Sequence, residues 1–193
     1  EMETLAYERT EAKKGTVGGF FKLNPRADDL PDELSTKLNN IKLMRLGGVK
    51  KGGAGCICPE STLLRALVNH VVLARNEAVV MDMEAGIEHL GRATAQAVDR
   101  LIVVVEPGRR SIETAENIRK LAGEIGLKHV GVVGNKVRNA NDEGFLRKHL
   151  TGLDFLGFLD YDDALIEADL KGISPFDVES PSKAGVREMI ARL

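Results

Sequence analysis

The chain has 193 residues, of which 43% are hydrophobic, 29% charged and only 4% aromatic, and its net charge at pH 7 is −2. This length and composition predict a soluble, globular protein with an aliphatic core. The charges are mixed along the chain, so we expect no nucleic-acid-binding face, which would need clustered lysines and arginines. No apolar run approaches the roughly 20 residues of a membrane span.

The predicted elements alternate between short apolar strands and helices. Strands are predicted at residues 40–46, 77–86, 100–107, 129–137 and 155–162. Helices are predicted at residues 1–14, 60–75, 89–98, 109–126, 141–150, 163–172 and 182–193, and the proline-containing stretch 20–33 is predicted as a loop. This alternation is typical of an α/β fold with a parallel sheet and flanking helices. No interdomain linker is apparent, so residues 1–193 are predicted to form one domain.

The sequence KKGGAGCICPE at residues 50–60 places a glycine-rich loop between a predicted strand and a predicted helix. That is the usual setting of a phosphate-binding loop. However, Cys56 stands where such a loop has its lysine, and Ile57 stands where it has its magnesium-binding hydroxyl. We therefore expect no working phosphate loop at this position.

Cys56 and Cys58 place two thiols in front of a helix N-terminus, where the helix dipole and the neighbouring lysines favour thiolates. Two thiolates are half of a tetrahedral Cys₄ site for zinc or a similar metal, and a two-fold dimer would supply the other half. A redox dithiol and a structural cysteine pair are the alternatives. Two cysteines do not make the disulfide framework of a secreted protein, and no secretory signal is recognised, so we expect a cytoplasmic protein.

Polar side chains lie at the ends of two predicted buried strands. Asp82 ends the strand in EAVVMDMEAG and is followed by Glu84 and Gly86, whereas Asn135 and Lys136 lie near the end of HVGVVGNKV. An aspartate at the carboxyl end of a parallel strand faces the crevice in which ligands bind, where it can hold Mg²⁺ through water. An asparagine amide can pair with both a donor and an acceptor on a base edge. Helix capping and turn formation are the structural alternatives.

Together these residues resemble the CooC-type nickel-insertion accessory ATPases of carbon monoxide dehydrogenase, a branch of the MinD/ParA-like P-loop ATPases. The resemblance covers nearly the whole chain, and the combination of CxCPE with DMxAGIEH is specific to this branch. The motifs that carry it are LNP at 23–25, KKGG with CxCPE at 50–60, AVVMDMEAGIEHL at 78–90, Glu106-Pro107, the S-I-x-T-x-x-N-I pattern at 111–118 and VGNKVRN at 133–139.

The resemblance implies a homodimer that binds ATP or ADP with Mg²⁺ between its subunits, and zinc or nickel through paired Cys-x-Cys motifs. Its client would be carbon monoxide dehydrogenase, to which it would deliver nickel. The implied site residues are the metal ligands Cys56 and Cys58, the Walker B acid Asp82 with Glu84 and Gly86 in switch II, and the cofactor-binding Asn135 and Lys136.

The sequence also departs from the family pattern. The family's variant Walker A loop belongs to the first strand and helix of the fold, and neither GTVGG at 15–19 nor KGGAGC at 51–56 replaces it. We therefore expect a MinD-like P-loop NTPase domain with its first strand and helix missing, and no ATPase activity from this chain alone.

The sequence leaves two further functional alternatives beside the redox dithiol. One is a nucleotide-independent metal-binding or scaffold protein that kept Cys56 and Cys58 but lost the ATPase site. The other is a membrane-associated spatial regulator of the MinD or ParA type. The C-terminal helix at 182–193 is short and lacks bulky aromatic residues, so we expect it to pack on the domain and predict no membrane association.

Overall fold

The structure is a computed structural model, and it describes residues 2–11, 22, 25–27, 29–45, 66–67, 78–83 and 98–193. The chain divides into two compact units, Glu1–Val98 and Asp99–Leu193. That residues 1–193 form one domain stays a prediction. Cys56, Cys58, Glu84 and Gly86 lie outside the described residues, as do most of the predicted helices at 60–75 and 89–98.

Within the described residues of the first unit, the chain forms helices α1 (Met2–Thr10) and α2 (Leu30–Leu34) and a hairpin, and Ala66 and Leu67 are also helical. In the hairpin, strand β1 spans Thr36–Leu38 and strand β2 spans Ile41–Leu43. The described residues of this unit include a buried hydrophobic cluster of Ala6, Ala27, Leu30, Ala66 and Leu67. Arg9 at the end of α1 binds the carboxylate of Asp29 at 2.8 Å, and this hydrogen bond holds the Asp29 pKa below its ordinary value. The pair joins α1 to the residue that precedes α2.

The predicted loop at 20–33 was wrong where α2 begins. Pro31 occupies the first turn of α2, where a missing backbone N–H costs nothing, so it does not break the helix. The strand predicted at 40–46 is confirmed over Ile41–Leu43, where β2 pairs with β1 in an antiparallel hairpin. Asn39 turns the chain with a positive φ of 53°, which asparagine tolerates better than most residues.

The second unit is a three-stranded parallel sheet with strand order β3-β4-β5. Its strands are β3 (Leu101–Val105), β4 (Val130–Val137) and β5 (Asp154–Asp160). Its helices are α3 (Arg109–Glu124), α4 (Ala140–His149), α5 (Asp163–Leu170) and α6 (Ser182–Ile190), with one 3₁₀ turn at Pro175–Asp177. The predicted α/β fold with a parallel sheet and flanking helices is thereby confirmed, and the arrangement agrees with a P-loop NTPase-like fold.

Helices cover both faces of this sheet, which explains why its strands read as continuous apolar runs. On one face, α3 and α4 close a core formed by Val103, Val105, Ile112, Ala115, Val132, Val137, Leu146 and Leu150. On the other face, Met189 of α6 packs against Val133 and Leu156. Val132 and Val133 therefore point to opposite faces, as successive strand residues must.

A bulge in β5 determines which of its side chains reach α4. Val132 pairs with Phe155 but Val133 pairs with Gly157, so one residue of β5 is extra. The extra residue places Phe155 and Phe158 on the same face, where their rings stack with centroids 5.2 Å apart. The Arg147 guanidinium of α4 lies over both rings, 5.2 Å and 4.7 Å from the centroids. Helix α4 is thus fixed to β5 by cation–π contacts as well as by apolar packing.

The strand predicted at 77–86 was wrong for the part that the structure describes. Residues 78–83 have no regular secondary structure, and Val80 is 91% exposed. A strand forms only by pairing with a neighbour, and none of the described strands pairs with these residues. Within the described ranges, no helix is both long enough and apolar enough to span a bilayer.

Candidate functional site

The second unit presents its polar side chains at the carboxyl edge of the parallel sheet. Glu106 directly follows β3, Asn135 and Lys136 lie near the end of β4, and Tyr161 directly follows β5. The carboxyl ends of parallel strands meet at one edge of a sheet, where open α/β folds bind their ligands. This edge is therefore the candidate site within the described residues.

An ion pair joins two of these strand ends. Lys136 Nζ lies 2.7 Å from Glu106 Oε1, and each side chain is 53% exposed. The hydrogen bond from Lys136 to the Glu106 carboxylate raises the pKa of the lysine above its ordinary value, and the charge of Glu106 adds to this effect. Lys136 is therefore a cation whose charge is already matched by a neighbour.

Asn135 and Lys136 lie in a bulge of the β4–β5 ladder, because the register shifts between Gly134 and Val137. Lys136 has a positive φ of 55°, which a lysine rarely adopts. The bulge also explains why Val137 shares the α3–α4 core with Val132, five residues earlier, although a regular strand would place them on opposite faces. Bulges and left-handed residues of this kind occur often beside functional sites.

Glu106 is held in place by the turn that leads into α3. Its backbone N–H donates a hydrogen bond to Ser111 Oγ at 3.0 Å, and Ser111 lies in the first turn of that helix. Pro107 restricts the same turn, since its ring fixes φ. The Glu106 carboxylate therefore projects from a backbone segment that is anchored to α3.

The Asn135 side chain is partly buried, and within the described residues it makes no hydrogen bond. A side-chain amide carries donors and an acceptor, so it can pair with a ligand that offers both. In this respect Asn135 differs from its neighbour Lys136, whose ammonium already has a partner. Of the two cofactor-binding residues predicted from the sequence, Asn135 is the one left available.

The other half of the VGNKVRN motif has a structural role. Asn139 Oδ1 accepts hydrogen bonds from the backbone N–H groups of Asn141 and Asp142, at 3.0 Å and 3.3 Å, and so caps α4. Arg138 binds the Asp142 carboxylate through two nitrogens, at 2.8 Å and 3.0 Å. These hydrogen bonds hold the Asp142 pKa below its ordinary value. Arg138 and Asn139 therefore fix the start of α4 behind the candidate site.

The other predicted site residues do not belong to this sheet edge within the described residues. Asp82 is described and exposed, in the irregular segment 78–83 of the first unit. The predicted metal ligands Cys56 and Cys58 and the predicted switch II residues Glu84 and Gly86 lie outside the described residues. Among the residues that the structure describes, no group of three or more His, Cys, Asp or Glu side chains is placed to hold a metal ion.

Sequence reasoning missed the pairing of Glu106 with Lys136. An available signal was an acidic residue directly after one buried strand and a lysine at the end of the next. Adjacent parallel strands bring such residues to one edge, but the sequence does not reveal the register or the bulge that sets their distance.

Comparison with known proteins places the chain in a family. No protein-family profile matches it. It is 42% identical over 193 residues to the carbon monoxide dehydrogenase accessory protein CooC of Rhodospirillum rubrum, an alignment that covers all of this chain and 73% of that protein. This chain belongs to the CooC-type family of accessory ATPases. It is also 44% identical over 184 residues to an uncharacterized ATP-binding protein of Methanocaldococcus jannaschii, covering 94% of this chain and 71% of that protein. The resemblance stated from the motifs is confirmed.

Proposed function

We propose that this protein is an ATP-dependent accessory protein that assists nickel insertion into carbon monoxide dehydrogenase. The observation that carries the proposal is the 42% identity to CooC of Rhodospirillum rubrum along the full length of the chain. ATP binding is supported further by the similarity to an ATP-binding protein of Methanocaldococcus jannaschii.

The carboxyl edge of the second unit supports the nucleotide half of the proposal. Asn135 offers an amide at the end of a parallel strand and is suited to pair with adenine. The exposed carboxylate of Asp82 is the kind of group that holds Mg²⁺ through water, and Glu84 and Gly86 follow it in the proposed switch II segment. In this proposal ATP supplies the energy, Asn135 contacts the base, and the magnesium role of Asp82 rests on its match to the Walker B position of the family.

The Cys-x-Cys motif carries the metal half of the proposal. Cys56 and Cys58 each provide a thiolate, and the second pair comes from another copy of the chain in a homodimer. Thiolates bind both zinc and nickel, and here the nickel is cargo for the dehydrogenase. Nucleotide-driven rearrangement of the dimer would then alter the four-thiolate site and release the metal.

The test is nickel loading of the dehydrogenase in a host whose own CooC gene is deleted. The complete protein encoded by this gene should restore the nickel content and CO oxidation of the dehydrogenase at limiting nickel. The Cys56→Ser, Cys58→Ser double variant should not. Excess nickel is the control, because it should restore activity in every strain if the dehydrogenase itself is intact.

Two results would change this account. Full activity of the double cysteine variant at limiting nickel would contradict metal delivery through these thiols. Full activity of an Asp82→Asn variant, with activity still dependent on the cysteines, would favour the alternative of a nucleotide-independent metal-binding protein.

A further inference from the structure

We infer that Glu106 sets the base specificity of the nucleotide site, because it holds the Lys136 ammonium away from the base and leaves the Asn135 amide to read adenine. This inference rests on the proposed nucleotide site at the carboxyl edge of the second unit. It assigns a function to a residue that neither contributes a metal ligand nor belongs to the proposed Walker B segment.

The chemistry of the two bases makes the neighbours Asn135 and Lys136 competitors. Adenine presents a donor at N6 beside an acceptor at N7, and an asparagine amide matches that pair. Guanine presents two acceptors, O6 and N7, which a lysine ammonium matches. With both side chain types at one strand end, the base preference depends on which of them is free to reach the base.

The geometry leaves the asparagine free and engages the lysine. Lys136 Nζ is 2.7 Å from Glu106 Oε1, whereas Asn135 makes no side-chain hydrogen bond within the described residues. The backbone of Glu106 is anchored to the first turn of α3, because its N–H donates a hydrogen bond to Ser111 Oγ at 3.0 Å. The carboxylate thus acts from a fixed turn at the neighbouring strand end.

The backbone at Lys136 supports the same conclusion. Its positive φ of 55° lies within the bulge between Gly134 and Val137. A bulge changes the direction of the side chains that it carries. Here the redirected lysine reaches the end of β3. The raised pKa of Lys136 agrees with a cation that is held by its carboxylate partner.

A plain structural clip between β3 and β4 is the competing interpretation of the pair, and nucleotide selectivity separates the two. A clip that only stabilises the edge should, when broken, weaken ATP and GTP binding by similar factors. A specificity residue should change the ratio of the two affinities. The pair is half exposed, so its loss should perturb the core little.

The experiment uses the complete encoded protein, with fluorescent non-hydrolysable ATP and GTP analogues as probes and Mg²⁺ present. The Glu106→Gln variant keeps the side-chain size but removes the charge that holds Lys136. We expect its GTP-to-ATP affinity ratio to rise about three- to fivefold, since a half-exposed ion pair holds the lysine by at most about 1 kcal/mol. Adding Lys136→Met to Glu106→Gln should reverse that gain, because no ammonium then remains to bind guanine.

Each outcome of this experiment decides between the interpretations. An unchanged ratio in Glu106→Gln, or a gain that persists after Lys136→Met, overturns the inference. The proposed nucleotide site is tested separately by Asn135→Ala. If the unaltered protein binds neither analogue, or if Asn135→Ala leaves ATP affinity unchanged, that site is wrong and the inference falls with it. A loss of ATP affinity in Asn135→Ala with no ratio change in Glu106→Gln contradicts the inference alone.

Discussion

Lys136 Nζ and Glu106 Oε1 lie 2.7 Å apart, and their ion pair connects the carboxyl ends of the neighbouring parallel strands β4 and β3. The pair forms beside the bulge that contains Asn135, so a charged contact and an unusual backbone conformation occur at the same sheet edge.

The first prediction concerns the tight packing of Gly134 in β4. A Cβ at this position would overlap Phe158 Cδ1 and lie 3.0 Å from Leu146 Cδ1. We expect Gly134→Ala to lower the free energy of unfolding by about 1–3 kcal/mol, since the extra methyl group overpacks the core between β4, β5 and α4. Urea denaturation measures this change.

Gly144 of α4 provides the matched control. Nothing lies within 4 Å of a Cβ built there, and the residue is inside a helix. Gly144→Ala should therefore raise the free energy of unfolding by roughly 0.5–1 kcal/mol, the helix-propensity difference. Equal effects of the two substitutions would contradict the described packing of Phe158 on β4.

The second prediction concerns acid stability at the start of α4. Hydrogen bonds from Arg138 lower the Asp142 pKa in the folded protein, and the side chain is only 13% exposed. A lowered folded pKa means that the stabilisation is complete above the unfolded pKa of about 3.9 and is lost as pH falls through the folded value. Stability should therefore decrease below about pH 4.

Urea midpoints measured across the acid range check this prediction. The Asp142→Asn variant should be less stable at neutral pH and should lose less stability on acidification. Asp177→Asn is the control, because Asp177 is exposed and has no ion-pair partner within the described residues. The prediction fails if Asp142→Asn keeps the pH dependence of the unaltered protein.

The third prediction concerns the proposed Walker B acid. Asp82→Asn in the complete encoded protein should reduce ATP hydrolysis by roughly 100-fold, because a magnesium-organising carboxylate contributes several kcal/mol to the transition state. The affinity for the non-hydrolysable ATP analogue should change much less. Asp169→Asn, an exposed carboxylate on α5, should leave both quantities unchanged. Normal hydrolysis by Asp82→Asn would remove this residue from the catalytic role.

Much of the second unit could be predicted because its sequence signals are strong. The apolar runs of β3 and β4 and the helical periodicity of α3 need little tertiary information, and the observed elements begin and end within a few residues of the predictions. β1 was missed because it has three residues and depends on a turn at Asn39 for its pairing. α2 was missed because a proline that starts a helix resembles one that breaks it.

The candidate site was predictable only in part. Asn135 and Lys136 were identified because polar residues at the end of a buried strand suggest a ligand edge. The sequence could not show that Lys136 forms an ion pair while the Asn135 amide has no partner within the described residues. That difference depends on the β4 bulge and on the register that brings Val105 opposite Gly134, which places Glu106 near Lys136. The capping role of Asn139 is visible in the sequence as an asparagine ahead of an acidic first turn.

The central claim is that two copies of the chain hold one metal ion through Cys56 and Cys58. Native mass spectrometry with elemental analysis of the purified complete protein, with zinc or nickel supplied, tests it most directly. The account predicts a dimer with one metal ion per two chains, and a metal-free monomer for the Cys56→Ser, Cys58→Ser variant. A double variant that binds metal and dimerises like the unaltered protein would contradict it.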